Sequence, residues 1–372
     1  MTHSHAAQPA GPGAPDVHAA HASPGAHSAP AAVGGPNTAL PDNPVLARLW
    51  RGAWVESQHR GSWVLADTSG RVVEGGGGYE HPIFARSSVK SLQALPLIES
   101  GAARRFEYRD DELALALSSH NAEAGHTERV AKLLARLGLS VADLRCGPQP
   151  PSDPAAKAEL ARVGAKPTAL HNNCSGKHTG FLALAKHLGV APELYLDPTS
   201  EVQVRARRAM EEMSGVKPGE LSTAIDGCSA PTFRLPLVRL ATAIARVANP
   251  EGLAPDRRAA LEWMHRAVAA HPDMIAGNYK RICTDLVRVS GARLFPKIGG
   301  EAVYVVGVRA KGVGLAVKID DGETRGLHAV VVELLKRFGY ITASEYDALA
   351  AWRGEVQRNW AGLRVGRLEV CA

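Results

Sequence analysis

The chain has 372 residues, 45% of them hydrophobic and 22% charged, with a formal net charge of +6. This balance suits a soluble protein of one large domain or two intertwined ones. Five scattered cysteines exclude a secreted disulfide framework, no apolar run is long enough to span a bilayer, and basic residues interleaved with Glu and Asp, without aromatic platforms, argue against nucleic acid as a partner.

Residues 1–39 are rich in Ala, Gly, Pro and His, with five His by His27 and no periodic apolar pattern. Such a segment buries too little to fold, so it is predicted to be a disordered tail ahead of one domain over 40–372. It lacks the basic start, apolar centre and cleavage site of an export signal, which predicts a cytoplasmic protein. Runs rich in Val and Trp follow at 49–55, 62–66 and 71–73, broken at His59-Arg60-Gly61 and Thr68-Ser69-Gly70, and predict an antiparallel meander. From about 86 to 290 the pattern is helical, with helices over 112–117, 127–137, 200–213, 233–247, 255–269 and 279–289. Strand patterns return at 302–308 and 312–319, then Asp320-Asp321-Gly322 precedes an amphipathic helix over 326–338. Strands at both ends of a helical middle predict an α+β fold, its antiparallel sheet built from about 49–75 and 302–319, with a site in the cleft between sheet and helices.

Ser87-Ser88-Val89-Lys90 follows Arg86 and opens an apolar helix carrying Leu92, Leu95 and Leu97. Positions i and i+3 share a helix face, so the Ser87 hydroxyl and Lys90 amine are expected to meet, and a buried lysine can act as base toward that hydroxyl. Ser214-Gly215-Val216-Lys217 repeats the spacing at a predicted helix end, so spacing alone is a weak signal. Ser119-His120-Asn121 and Lys297-Ile298-Gly299 complete the element order of the serine β-lactamases and penicillin-binding proteins, with different gaps. Taken singly, Ser119 and Asn121 also suit helix capping, and Lys297 suits a solvated surface.

The segment His171-Asn172-Asn173-Cys174-Ser175-Gly176-Lys177-His178-Thr179-Gly180 is polar and turn-prone, and gives way to an apolar run ending at Gly189. A second polar turn, Asp226-Gly227-Cys228-Ser229-Ala230-Pro231, is expected to lead into the helix from Phe233. Two thiols in polar loops suit Zn²⁺, with Lys177 or a histidine completing the set, or else form a structural thiol pair. A phosphate loop is excluded, because His178 follows Gly176-Lys177 where Ser or Thr is required.

Together, Arg86 to Lys90, Ser119-His120, the thiol segment 171–178 and Asp226-Gly227-Cys228 resemble the rhizobial-type L-asparaginase family, over about 49 to the C-terminus. That family has a fold related to the serine β-lactamases and glutaminases and hydrolyses L-asparagine to aspartate and ammonia. The resemblance implies two couples, Ser87 with Lys90 and Ser119 with Lys297, zinc ligands Cys174, Lys177 and Cys228, and a homodimer. Cys283 matches a family cysteine, whereas Cys146, Cys371 and the His-rich tail match no motif. On charge, Asp226 is expected to hold the substrate ammonium and Arg86 its carboxylate, with His120 a third substrate contact. Ser87 is the expected nucleophile and Lys90 its base. Rival readings are a cytoplasmic glutaminase, a β-lactamase or penicillin-binding-like hydrolase, and a noncatalytic zinc-organised binding protein.

Overall fold

The computed structural model describes residues 39–354 and 356–372, so the predicted tail lies outside it apart from Ala39. Eleven strands form among these residues: β1 Val45–Arg51, β2 Trp54–Asp67, β3 Val72–Gly76, β4 Pro82–Phe84, β5 Ser222–Ile225, β6 Pro231–Pro236, β7 Leu294–Gly299, β8 Val303–Val308, β9 Val313–Ile319, β10 Val356–Arg358 and β11 Arg364–Val370. The main sheet is antiparallel in the order β10-β11-β1-β2-β9-β8-β7, with β3 on β2. Its two ends of the chain meet at β2 and β9, where Trp63 pairs with Val317. The expected α+β architecture is therefore present.

Details differ from the sequence expectation for local reasons. The 49–55 run crosses a hairpin turn at Gly52, whose φ is 56°, and the His59-Arg60-Gly61 break lies inside β2. Gly61 is there because a Cβ would collide with the Lys318 carbonyl oxygen of the paired strand. The helix expected from Phe233 begins later: β6 pairs with β4 and β5 in a second sheet, and Pro236 ends the strand and opens the helix. Likewise the 279–289 helix starts only at Ile282, since Lys280 holds a left-handed φ of 49°. Gly215, φ 69°, ends a helix at Ser214 as expected, so the second Ser-x-x-Lys is a cap and turn.

Five helices set the site: α1 Lys90–Glu99, α2 Ser175–Leu188, α3 Leu237–Ala248, α4 Ile282–Val289 and α5 Thr324–Arg337. Every residue of β8 is buried, which requires cover on both faces, and α3 and α5 both pack on β8 and β9. Two apolar cores result, one against the sheet and one among the helices around α2. Leu92 and Leu95 of α1 belong to the first and Leu97 to the second, so α1 lies on the seam between them. Truncating one of these leucines to alanine removes fully buried surface, at a cost of about 2–5 kcal/mol. Among the described residues no helix is long and apolar enough to cross a membrane.

Candidate active site

The cleft opens where the starts of α1, α2 and α4 meet the end of β7. It has a volume of about 470 Å³, and its walls include Arg86, Ser87, Ser119, Cys174, Asp226, Cys228, Arg281 and Cys283.

Ser119 is its centre. The segment 118–121 is threaded between two others: Ser119 N–H donates to Ile275 O at 3.0 Å, His120 N–H to Asn173 O at 3.1 Å and Asn121 N–H to Ala276 O at 3.0 Å. This fixes Ser119 with its hydroxyl toward two lysines. Lys90 Nζ donates to Ser119 Oγ at 3.0 Å and to the Ser118 carbonyl, and Lys297 Nζ donates to Ser119 Oγ at 2.8 Å and Ile298 O at 2.9 Å. The lysines are 0% and 4% exposed, and Ser119 is 6% exposed. Burial lowers the Lys90 amine from its usual range, and burial together with the nearby Lys90 brings Lys297 down to about 7. One of the two amines can thus be neutral near physiological pH and accept the hydroxyl proton.

The expected Ser87–Lys90 hydrogen bond does not form. Ser87 sits half-buried on the cleft wall in the 3₁₀ turn Arg86–Val89, while the long Lys90 side chain reaches across to Ser119. Helix spacing set the face correctly but not the partner. Ser119 with Lys297 forms as expected, and Ser119 with Lys90 is an additional couple.

Arg86 has a left-handed φ of 51° and is committed to carboxylates, with Nε 2.5 Å from Asp226 and Nη1 3.8 Å from Glu301. Burial raises the Asp226 carboxyl, but Lys177 and Arg86 outweigh it and hold it below its usual range. Asp226 is thus a carboxylate on the wall, already paired. His120 is turned away from the cleft: Nδ1 accepts from Ala122 N–H at 3.1 Å, and Nε2 lies 2.8 Å from Ser175 Oγ. With Nδ1 accepting, Nε2 carries the proton, and burial and the stacked His126 hold the ring neutral, far below its ordinary value. His120 therefore braces the Ser119 segment against α2 and is not among the residues that line the cleft.

The thiol segment is helical earlier than its polarity suggests, with Cys174 at the N-cap of α2 and Lys177 in the first turn. Gly176 permits this, because a Cβ would strike the Leu115 carbonyl oxygen. Positions 174 and 177 consequently share one face, toward Cys228: Lys177 Nζ donates to Cys228 Sγ at 3.2 Å. The proximity of Cys174 favours Cys228 as thiolate against its burial, while Cys174 is kept as thiol by Cys228 and by burial; the two sulfurs outweigh burial and keep Lys177 charged. Among the described residues no cluster of three or more His, Cys, Asp and Glu is arranged to hold a metal ion. The set here is two sulfurs and an amine, with Lys177 Nζ 3.2 Å from Cys228 Sγ, and it is of the N/S chemistry zinc accepts once the amine gives up its proton to the metal's charge, so the residues fit Zn²⁺ with a fourth position left for another ligand. His171 and His178 are engaged elsewhere, with Thr168 and Tyr195. Cys146 lies buried with Sγ 3.6 Å from Ala169 O, and Cys371 is exposed.

Sequence reasoning missed Arg281, Lys280, His328 and Gln149 on the wall. None of them belongs to a catalytic or metal-binding motif: Lys280 and Arg281 are two adjacent basic residues at a turn, His328 shares only a helix face with Thr324, and Gln149 lies in a proline-rich loop. Cys283, noted only by resemblance, lines the cleft with Sγ 3.3 Å from the Tyr304 hydroxyl.

No curated protein matches the chain by sequence. Among solved structures it is similar to Mglu in its native form in the presence of 4.3M NaCl, with a TM-score of 0.39 and 15% identity, covering 75% of this chain and 61% of that one. The chain thus spans less than two thirds of that relative's length. It is also similar to a β-lactamase (Mb2281c) from Mycobacterium bovis, with a TM-score of 0.38 and 13% identity, covering 75% of this chain and 94% of that one. Residues 47–370, most of the chain, match the model of the L-asparaginase II family, whose members are hydrolases acting on amides, and the chain belongs to that family.

Proposed function

We propose that the chain hydrolyses the side-chain amide of L-asparagine to L-aspartate and ammonia by Ser-Lys nucleophilic catalysis. The observation that supports this most is a single hydroxyl, Ser119 Oγ, held between two buried amines at 3.0 and 2.8 Å on the wall of a cleft. In this reading Ser119 Oγ attacks the amide carbon while neutral Lys297 takes its proton. The proton passes to the departing nitrogen, the C–N bond breaks, and ammonia leaves an ester on the serine. Water then attacks the ester with the neutral amine again as base, releasing aspartate. Positioned proton transfer of this kind contributes on the order of 10²–10⁴-fold. Zn²⁺, held by Cys174, Lys177 and Cys228, would supply a Lewis acid for a carbonyl or a tie between α2 and the 226–228 turn.

A second assignment keeps Ser87 as nucleophile, with Ser119 relaying its proton to the lysines; its half-buried place on the same wall favours this. Mass spectrometry of enzyme quenched during turnover separates the two. An aspartyl adduct on the peptide carrying Ser119 is expected, one on the Ser87 peptide selects the second assignment, and full activity of both Ser→Ala variants with no adduct sinks covalent catalysis. Ammonia release should favour L-asparagine over L-glutamine by about 10–200-fold, since one methylene is worth little more in a simple pocket. Absence of nitrocefin turnover is expected. A homodimer, from the resemblance, and a cytoplasmic location, from the missing export-signal pattern, belong to this reading and are checked by light scattering and cell fractionation.

A further inference from the structure

We propose that Arg281 is the anchor for the substrate's α-carboxylate, so that the cleft takes free α-amino acids and rejects asparagine within a peptide or capped at its carboxyl. The inference rests on the amide-hydrolase reading of the cleft and adds to it the chemical class of substrate.

Two arginines face the cleft, and their commitments differ. Arg86, the residue expected to bind carboxylate, already has Asp226 at 2.5 Å and Glu301 at 3.8 Å. Arg281 forms no ion pair among the described residues, and its one side-chain hydrogen bond is from Nη2 to the Ser119 carbonyl. The nearest candidate acid is spent elsewhere: Glu123 accepts from Asn278 N–H at 2.6 Å, Asn278 Nδ2 at 2.8 Å and Asn121 Nδ2 at 2.9 Å. A guanidinium has five N–H donors, and Arg281, on the cleft wall, spends one of them on the Ser119 carbonyl. Burial opposes its charge and prevails over the neighbouring Cys283, Tyr304 and the already occupied Glu123, and the buried Tyr304 hydroxyl is itself held far above its ordinary range and so brings no negative charge. A cation kept this way is costly unless an anion completes it.

The placement suits that anion. Arg281 grips the carbonyl of the residue whose hydroxyl the two lysines hold, so an anion on the guanidinium's free edge lies within one amino acid's length of Ser119 Oγ. In L-asparagine three bonds separate the α-carboxylate carbon from the side-chain amide carbon, a span of about 4 Å. A planar fork matches a carboxylate in bidentate fashion, which lysine cannot reproduce.

The test pairs binding with turnover. For turnover, L-asparagine is compared with its α-N-methylamide, whose side-chain amide still releases ammonia but whose carboxylate is gone. Wild type should prefer L-asparagine by on the order of 10²–10³-fold in kcat/KM, and Arg281→Gln should abolish the preference. A merely structural role would lower both substrates together and leave the ratio intact. Arg281→Lys, which keeps the cation without the fork, should retain part of the preference and guards against misfolding of the Gln variant, with thermal melts as control. For binding, calorimetry with L-aspartate reads the site without chemistry: wild type binds and Arg281→Gln does not. Unchanged L-aspartate binding in folded Arg281→Gln, or no binding by wild type, overturns the proposal. Binding that depends on Arg281 in an enzyme that releases no ammonia would sink the amidohydrolase reading and leave the carboxylate anchor standing.

Discussion

Replacing Lys297 by methionine separates what the site needs from what the fold needs. An amine brought from its ordinary 10.5 down to about 7 by burial and by Lys90 is held neutral against its preference. Between these two values the unfolded chain binds the proton and the folded chain does not, so stability rises with pH across that window. The strain on the fold amounts to about 4 kcal/mol at pH 7 and less than about 1 kcal/mol at pH 10. Methionine fills similar space without the charge and relieves that strain. It also strips a donor from Ser119 Oγ and Ile298 O, which costs about 1–3 kcal/mol at either pH. Lys297→Met should therefore be more stable than wild type at pH 7 by about 1–3 kcal/mol and less stable at pH 10, while kcat falls on the order of 10²–10⁴-fold. Urea unfolding at the two pH values and steady-state ammonia release measure both. A variant less stable at pH 7, with a gap that does not change up to pH 10, would show that Lys297 is not a strained neutral amine.

The same amine predicts that kcat/KM rises as pH passes upward through about 7, because the base must be unprotonated; a rate flat from pH 6 to 8 contradicts it. His120→Leu leaves the Ala122 N–H and Ser175 Oγ without their imidazole partners and should cost about 2–4 kcal/mol in urea unfolding. Its KM for L-asparagine should stay near wild type, and a large rise in KM at full folding would return His120 to the substrate. Removal of zinc by a chelator, or Cys174→Ala, should mainly raise KM if the metal organises the cleft; a collapse of kcat at constant KM would assign it a direct part in the chemistry.

Much of this architecture is legible in the sequence where the signal is local. Cys174 and Lys177 share a face because three positions is nearly one helical turn, and Gly215 marks a helix end because only its φ of 69° closes it cheaply. Other elements are invisible for equally physical reasons. Pro296 reads as a strand breaker, yet β7 is the last strand of the sheet order, where a proline's missing N–H is tolerated. β6 was hidden by the apolar helix that follows it, since Phe233 and Leu235 suit either element and only pairing with β4 and β5 decides. Lys90 shows the limit of spacing arguments: four methylenes let its amine pass the nearest serine and bond one 29 positions away. Arg281 carries no signal at all, because its meaning lies in the carboxylate it lacks.

The consequence for catalysis is that Ser119 cannot be treated as one residue among several. Its N–H is held by Ile275, its carbonyl by Arg281, and its hydroxyl by Lys90 and Lys297, so three segments, at Lys90, 275–281 and Lys297, converge on one amino acid. Moving any one of them moves the oxygen, and a displacement near 1 Å costs on the order of 10²-fold in rate. Losses from Lys90, Lys297 and Arg281 variants should consequently not add: once the oxygen is misplaced or left without a base, removing a second holder takes away little more. If instead the double variant Lys90→Met/Lys297→Met lost the product of the two single losses in kcat, the two lysines would contribute independently to one rate-limiting transition state, and the shared hold on Ser119 Oγ would not be what each of them supplies.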